Sequence, residues 1–205
     1  VTRLAQDCYR VITGSSFISN DLGWLKMNHL YGDEPVEIRD VTTEYACLAL
    51  WGPKARLVLQ KVTASDVSNE SLPYMTAKEV DVRGFKVLAQ RVSYVGELGW
   101  ELYAPWGKAV QLWDALIEAG QEHGLEVGGY KALDTLRLEK GYRYFTADVT
   151  PLENPYEAGL GFCVKLDKGD FIGRESLVNA RKKGMQYKLC TLVLEGDDYL
   201  PVYGG

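Results

Sequence analysis

"AKEVDVRGFKVLAQRVSYVGELGWELY" runs from Ala77 to Tyr103, and its reading decides the fold. Up to Tyr94 it is two alternating apolar–polar runs joined around Arg83 and Gly84, the pattern of two half-buried strands and a tight turn. From Arg91 to Tyr103 a second strand-like run is broken by Gly96, Glu97 and Gly99 and resumed by Trp100, Glu101 and Leu102. One reading is a plain hairpin whose glycines make the turn, with Glu97 solvated at its tip. The other is that Tyr94 and Glu101 flank the turn because something flat and polar is held there.

Working outward, "VTRLAQDCYRVITG" (1–14) reads as strand, turn at Ala5 to Asp7, and strand. "GSSFISNDLGWLKMNH" (14–29) predicts a helix starting near Ser19 or Asn20, with Leu22, Leu25 and Trp24 turned inward. "VEIRDVTTEYACLALWG" (36–52) reads as strand, turn and buried strand. "GPKARLVLQKV" (52–62) is a helix start with Pro53 at the first helical position and Ala55, Val58, Leu59 and Val62 on one face. "GKAVQLWDALIEAGQEHG" (107–124) predicts a helix facing inward through Val110, Trp113, Leu116, Ile117 and Gly120. "GGYKALDTLRLEKG" (128–141) and "DFIGRESLVNARKKG" (170–184) are further helices, the second preceded by a strand in "GFCVKLD" (161–167). Strands come in hairpin-like pairs with helices between the pairs. That pattern predicts α+β architecture with mainly antiparallel sheets and flanking helices, not a doubly wound parallel sheet.

The bulk properties narrow the function. The chain has 205 residues, a net charge of −5 and a pI near 5.2, the wrong sign for nonspecific binding to nucleic acid or to an anionic membrane. No apolar run approaches the roughly 18 residues of a membrane span. "GELGWE" lacks GxGxxG spacing, which argues against a nucleotide fold. Cys8, Cys47, Cys163 and Cys190 are dispersed, so a disulfide framework or structural zinc site is not expected and a reducing compartment fits. With His29 and His123 alone, a histidine-rich metal centre is excluded; both read as surface or loop residues. The chain opens inside a hairpin at Val1 and ends on a strand and Gly204-Gly205, which reads as a piece of a longer protein.

Three stretches together carry a resemblance: "YVGELGWELY" (94–103), "YKALDTLRLEKGYRYFTADVTPLENPYEAGLGFCVKLDK" (130–168) and "DFIGRESL" (170–177). They resemble the aminomethyltransferase family, which includes the T-protein of the glycine cleavage system. "LDTLRLEKGYRY" and "GDFIGRE" are most similar to the folate-binding half of dimethylglycine and sarcosine dehydrogenases, where a flavin domain precedes this module. The resemblance implies a lobed folate-binding fold. Residues 1–186 would form the folate-binding region, with a lobe change near 40–45, and 187–205 the start of a C-terminal barrel cut short.

It also implies chemistry. Tetrahydrofolate would accept a one-carbon unit to give 5,10-methylenetetrahydrofolate, and FAD would belong to a separate preceding domain. The implied partners are the folate itself and a flavin dehydrogenase domain or a lipoyl carrier protein. The implied location is bacterial cytoplasm or the mitochondrial matrix. Tyr94 and Glu101 match a tyrosine and a glutamate placed at the pterin in the family pattern. A carboxylate can accept from the adjacent N3–H and 2-amino donors of a pterin in bidentate fashion, while a tyrosine offers a ring face and a hydroxyl. The family's catalytic aspartate would match a position before Val1, so no catalytic residue is assigned here and an isolated 205-residue chain is expected to be impaired in turnover.

Thr13 stands where the glycine cleavage branch has an asparagine, and Leu133 where it has an arginine. Arg137, one helical turn on, could replace that charge or pair with Asp134 or Glu139. Trp100, Trp106 and Trp113 read as core or lobe-interface aromatics, with Trp100 the one placed to touch ligand. Glu153, Tyr156 and Glu157 are candidates for shaping a central cavity, and Arg174 for an inter-element ion pair. An alternative to a transferase is a folate-binding or scaffold module without turnover.

Overall fold

The protein is described here from a computed structural model, over residues 1–29 and 35–196. The chain divides into two compact units, Val1–Leu136 and Arg137–Gly205, the division falling inside a helix.

In the first unit, β1 (Thr2–Arg3) and β2 (Tyr9–Arg10) form an antiparallel hairpin, followed by α1 (Ile18–Asn28). A four-stranded antiparallel sheet then assembles from β3 (Tyr45–Trp51), β4 (Ala77–Val82), β5 (Phe85–Gln90) and β6 (Gly99–Pro105), in the order β3–β6–β5–β4. Two helices, α2 (Ala55–Val62) and α3 (Ala109–Gly120), close one side of it. This is the expected α+β, antiparallel class. Among the described residues no barrel closes.

The quoted hairpin forms as its residues dictate. Arg83 (φ 48°) and Gly84 (φ 89°) both take positive φ, and Val82 pairs with Phe85. That two-residue turn matches the right-handed twist of the strands it joins. Period-two alternation then sends Val80, Val82, Phe85, Val87 and Ala89 to one face, where Leu50, Trp100, Leu102 and Ala104 join them. α2 adds Ala55, Val58, Leu59 and Val62, the stripe its spacing predicts. Pro53 lies in the turn just ahead of the helix, where Ala55 N–H donates to Gly52 O (3.0 Å).

α3 turns differently from expectation. Leu112, Ala115, Leu116 and Gly120 are buried, while Val110 is 71% and Trp113 42% exposed. Two overlapping stripes of similar spacing exist on this helix. The sheet takes the one with small residues, and a Cβ on Gly120 would lie 2.5 Å from the Leu125 side chain, so only glycine fits beneath that loop. α1 starts at Ile18 with Leu22 and Leu25 half-buried, but Trp24 faces out.

The expected strand at 36–40 does not form; residues 35–41 are irregular. α4 (Tyr130–Glu139) and α5 (Arg174–Lys183) match the last two predicted helices. The expected strand in 161–167 is instead a short 3-10 turn at Gly161–Cys163 and coil. The described part of the expected barrel start, 187–196, contains no strand; the remainder of that expectation lies outside the described residues.

Candidate functional site

The helices cover one face of the sheet, so alternation leaves Tyr45, Cys47, Ala49 and Trp51 of β3, Glu101 and Tyr103 of β6, and Leu88 and Gln90 of β5 on the other. The register sets Glu101 between Ala49 and Gln90, and Tyr103 between Cys47 and Leu88. The β1–β2 hairpin is tied to this face. Thr2 Oγ1 donates to Gln90 Oε1 (2.7 Å), and the Arg10 guanidinium lies over the rings of Tyr45 (4.4 Å) and Tyr103 (5.7 Å).

Glu101 is half-buried, and its Oε2 accepts a short hydrogen bond from the Tyr103 hydroxyl. Burial first, then that bond, push the Tyr103 pKa well above the usual tyrosine range. The phenol therefore stays protonated and remains a donor, which fixes the rotamer of Glu101. The carboxylate's second oxygen, and a second lone pair on the first, face no protein donor among the described residues. Opposite Tyr103, Cys47 keeps exposed surface, yet packing around its thiol pushes the pKa up to about 11, with the Glu101 charge adding to it.

Tyr94 sits in the eight-residue connection (91–98) between β5 and β6, half-buried. This connection is clamped at several points. Arg91 N–H donates to Thr76 O (2.8 Å), its guanidinium to Leu72 O (2.9 Å), and Trp51 Nε1 to Val92 O (3.0 Å). Ser93 Oγ accepts from the Val95 and Glu97 N–H groups (3.1 and 3.2 Å), closing a turn around Tyr94. Glu97 is exposed, as a solvated turn acid should be. The loop is thus a held segment and longer than a tight hairpin turn. Gly99 ends it for a different reason: a Cβ there would lie 2.0 Å from Leu50 O and 2.8 Å from Trp51 Cα, so β3 can approach β6 only across a glycine.

The other candidates are placed elsewhere. Trp100 is wholly buried on the helix side, with Arg56 over its ring at 5.3 Å. It is a core residue without a face open to ligand, since neighbours 100 and 101 in a strand point opposite ways. Thr13 is exposed and donates its hydroxyl to Asp21 Oδ2 in α1, which with Asn20 holds the Asp21 carboxyl below its usual range.

Arg137 belongs to the second unit. It is 5% exposed, ion-paired with Asp148 and bonded to Tyr142 O (3.0 Å). Asp148 also accepts from Tyr144 N–H (2.7 Å), so this arginine organises the 142–149 turn. Glu153 accepts from Thr150 N–H and hydroxyl (both 2.7 Å), and Glu157 from Asn154 N–H (3.2 Å), both as turn-forming acceptors. Tyr156 is half-buried. Arg174 donates to Leu166 O (2.9 Å) where an ion pair was expected. Of the five predicted binding residues, the first unit holds Tyr94 and Glu101 in one loop-and-strand segment; Arg10, Tyr103 and Gln90 are additions the structure makes beside Glu101. The partners of Arg10 and Gln90 are distant in sequence, so no local pattern marks those two; Tyr103 lies two residues from Glu101 and shares its face by strand alternation.

Known proteins bear on this arrangement. The GCVT N-terminal domain family matches residues 1–168. Human mitochondrial dimethylglycine dehydrogenase is 41% identical over 194 residues, 94% of this chain and 22% of its own length. An aminomethyltransferase of Halothermothrix orenii is 40% identical over 193 residues, 94% of this chain and 53% of its own. Mouse mitochondrial sarcosine dehydrogenase is 37% identical over 201 residues, 97% of this chain and 21% of its own. A solved heterotetrameric sarcosine oxidase from Corynebacterium sp. U-96 covers 50% of this chain and 51% of its own at 24% identity and a TM-score of 0.42, too slight a likeness to carry an argument. The chain thus spans from about a fifth to about half the length of these curated relatives. A family match over residues 1–168, together with these identities, establishes that the chain belongs to the aminomethyltransferase (glycine cleavage T-protein) family, related to the matching region of dimethylglycine and sarcosine dehydrogenases.

Proposed function

We propose that this chain binds a reduced folate through Glu101 and Tyr94 and serves tetrahydrofolate-dependent one-carbon transfer, forming 5,10-methylenetetrahydrofolate in glycine or N-methylglycine catabolism. Family membership supports the reaction class. The names of the relatives, dimethylglycine and sarcosine dehydrogenase, support the N-methyl amine branch. A flavin dehydrogenase domain or a lipoyl carrier would deliver the one-carbon unit, in bacterial cytoplasm or a mitochondrial matrix.

The observation that carries the reading is the Glu101 carboxylate: half-buried, oriented by the Tyr103 hydroxyl, and with acceptor capacity unused. The site residues fit a pterin. That ring presents two adjacent N–H donors, and a fixed carboxylate accepts both without first losing rotamer freedom. Tyr94, in its clamped loop, would supply a ring edge or hydroxyl beside the bound heterocycle. Thr13, Trp100 and Arg137 are not needed for this contact.

Calorimetric titration with 5-formyltetrahydrofolate tests the reading. Glu101→Ala is expected to lose about 2–4 kcal/mol of binding free energy, the scale of a charge-assisted bidentate pair. Equal affinity in wild type and variant would remove Glu101 from the pterin.

A further inference from the structure

Arg10 is the unexplained group of the open sheet face. It is half-buried, and its guanidinium makes no hydrogen bond or ion pair among the described residues; Nη1 is buried without a partner. Buried donors in folded proteins are nearly always satisfied, and an arginine has no neutral form in which to hide. What holds Arg10 is two aromatic faces, Tyr45 at 4.4 Å and Tyr103 at 5.7 Å. This contact fixes the plane of the cation and leaves its N–H groups unspent.

The same Tyr103 that carries Arg10 on its ring donates its hydroxyl to Glu101. The tyrosine is therefore a spacer, with a cationic donor set on one side and an anionic acceptor on the other. The strand β2 that bears Arg10 is in turn tied to the sheet through Thr2 and Gln90, and Gln90 is the cross-strand neighbour of Glu101. An acceptor and a donor set about one tyrosine complement a ligand edge that carries N–H and C=O next to each other.

We propose that Arg10 is a specificity-determining residue: it donates to the 4-oxo oxygen of the pterin while Glu101 accepts from the neighbouring N3–H and 2-amino groups. This rests on the folate reading above. A lactam edge runs donor, donor, acceptor; Glu101 answers the first two and Arg10 the third. A 4-amino ring puts a donor where Arg10 also donates, so the arginine selects against it.

The test compares two ligands on the full 205-residue chain: 5-formyltetrahydrofolate, and the 5-formyl tetrahydro analogue with a 4-amino group in place of the 4-oxo. Arg10→Met keeps an apolar stem on the tyrosine faces and removes the donors. It is expected to weaken the 4-oxo ligand about tenfold and the 4-amino ligand far less, so the preference for 4-oxo shrinks by about the same factor. Arg10→Lys, which restores a cation, is expected to recover part of the preference. Loss of both ligands in equal proportion on Arg10→Met would mean that Arg10 only supports the hairpin, and would overturn the proposal. A wild-type chain that binds neither ligand would overturn the folate reading itself. If Glu101→Ala weakens the 4-oxo ligand while Arg10→Met leaves the preference intact, the folate reading stands and the Arg10 assignment alone is lost.

Discussion

Tyr103 and Cys47 face one another across β6 and β3 and share a direction of titration. Burial is the first cause in both, and the Glu101 charge is a further one. Both are acids whose neutral form is protonated, so a raised folded pKa means the folded state holds its proton longer than the unfolded chain does. Their contribution to stability is fully present below the unfolded values. It is lost as pH climbs, from the ordinary thiol value of 9.0 through about 11 for Cys47. Urea midpoints followed from pH 8 to 11 should fall through this window in wild type, and fall less steeply in Cys47→Ala. A flat profile above pH 9 would contradict the packing described around the thiol. The same residues show how much of the candidate site was legible. Strand alternation puts Glu101 on the open face and its neighbour Trp100 on the opposite one, in the core, whereas a pterin role for Glu101 came only from the family resemblance. Arg10 carries no local signal, because Tyr45 and Tyr103 come from residues far along the chain.

At the scale of elements, β6 begins where it does because of Gly99. Its missing side chain lets the carbonyl of Leu50 and the backbone of Trp51 pass at a separation that a Cβ would reduce to 2.0 and 2.8 Å. Gly99→Ala therefore has to push β3 away from β6 at the end of the pairing nearest Glu101. The expected cost is about 2–3 kcal/mol of stability, typical of a forced overpacking, read as a lower urea midpoint at unchanged slope. A variant as stable as wild type would show that the two strands can part without loss. Elements whose signals were purely local were legible: the Arg83–Gly84 turn, the α2 stripe and the β1–β2 hairpin. Others required tertiary context. α3 offers two overlapping apolar stripes, and packing against the sheet and α2 buries the one with Leu112 and Ala115. The run from Gly161 to Asp167 is short and apolar, which suits a strand as well as a coil, and among the described residues no partner strand comes to it.

At the scale of the whole molecule, the division at Leu136–Arg137 inside α4 was not visible in the sequence, since no loop composition marks it. The helix period continues through it, and the bonds of Arg137 to Asp148 and to Tyr142 O show which unit that arginine serves. The order β3–β6–β5–β4 has a consequence in time. β4, β5 and β6 are consecutive in sequence, so each meets its neighbour after a short search. β3 instead pairs with a strand far ahead of it, Trp51 with Gly99 and Tyr45 with Pro105. Closing that long loop costs entropy that no early contact repays, which sets β3 as the late arrival on a preformed three-strand meander. Stopped-flow kinetics should separate the two: Val87→Ala in β5 is expected to slow folding, and Leu48→Ala in β3 chiefly to speed unfolding. The reverse pattern would place β3 in the folding nucleus. Tyr45, one of the two rings beneath Arg10, arrives with β3, so the chain commits to its sheet before it possesses the cation-bearing side of its open face.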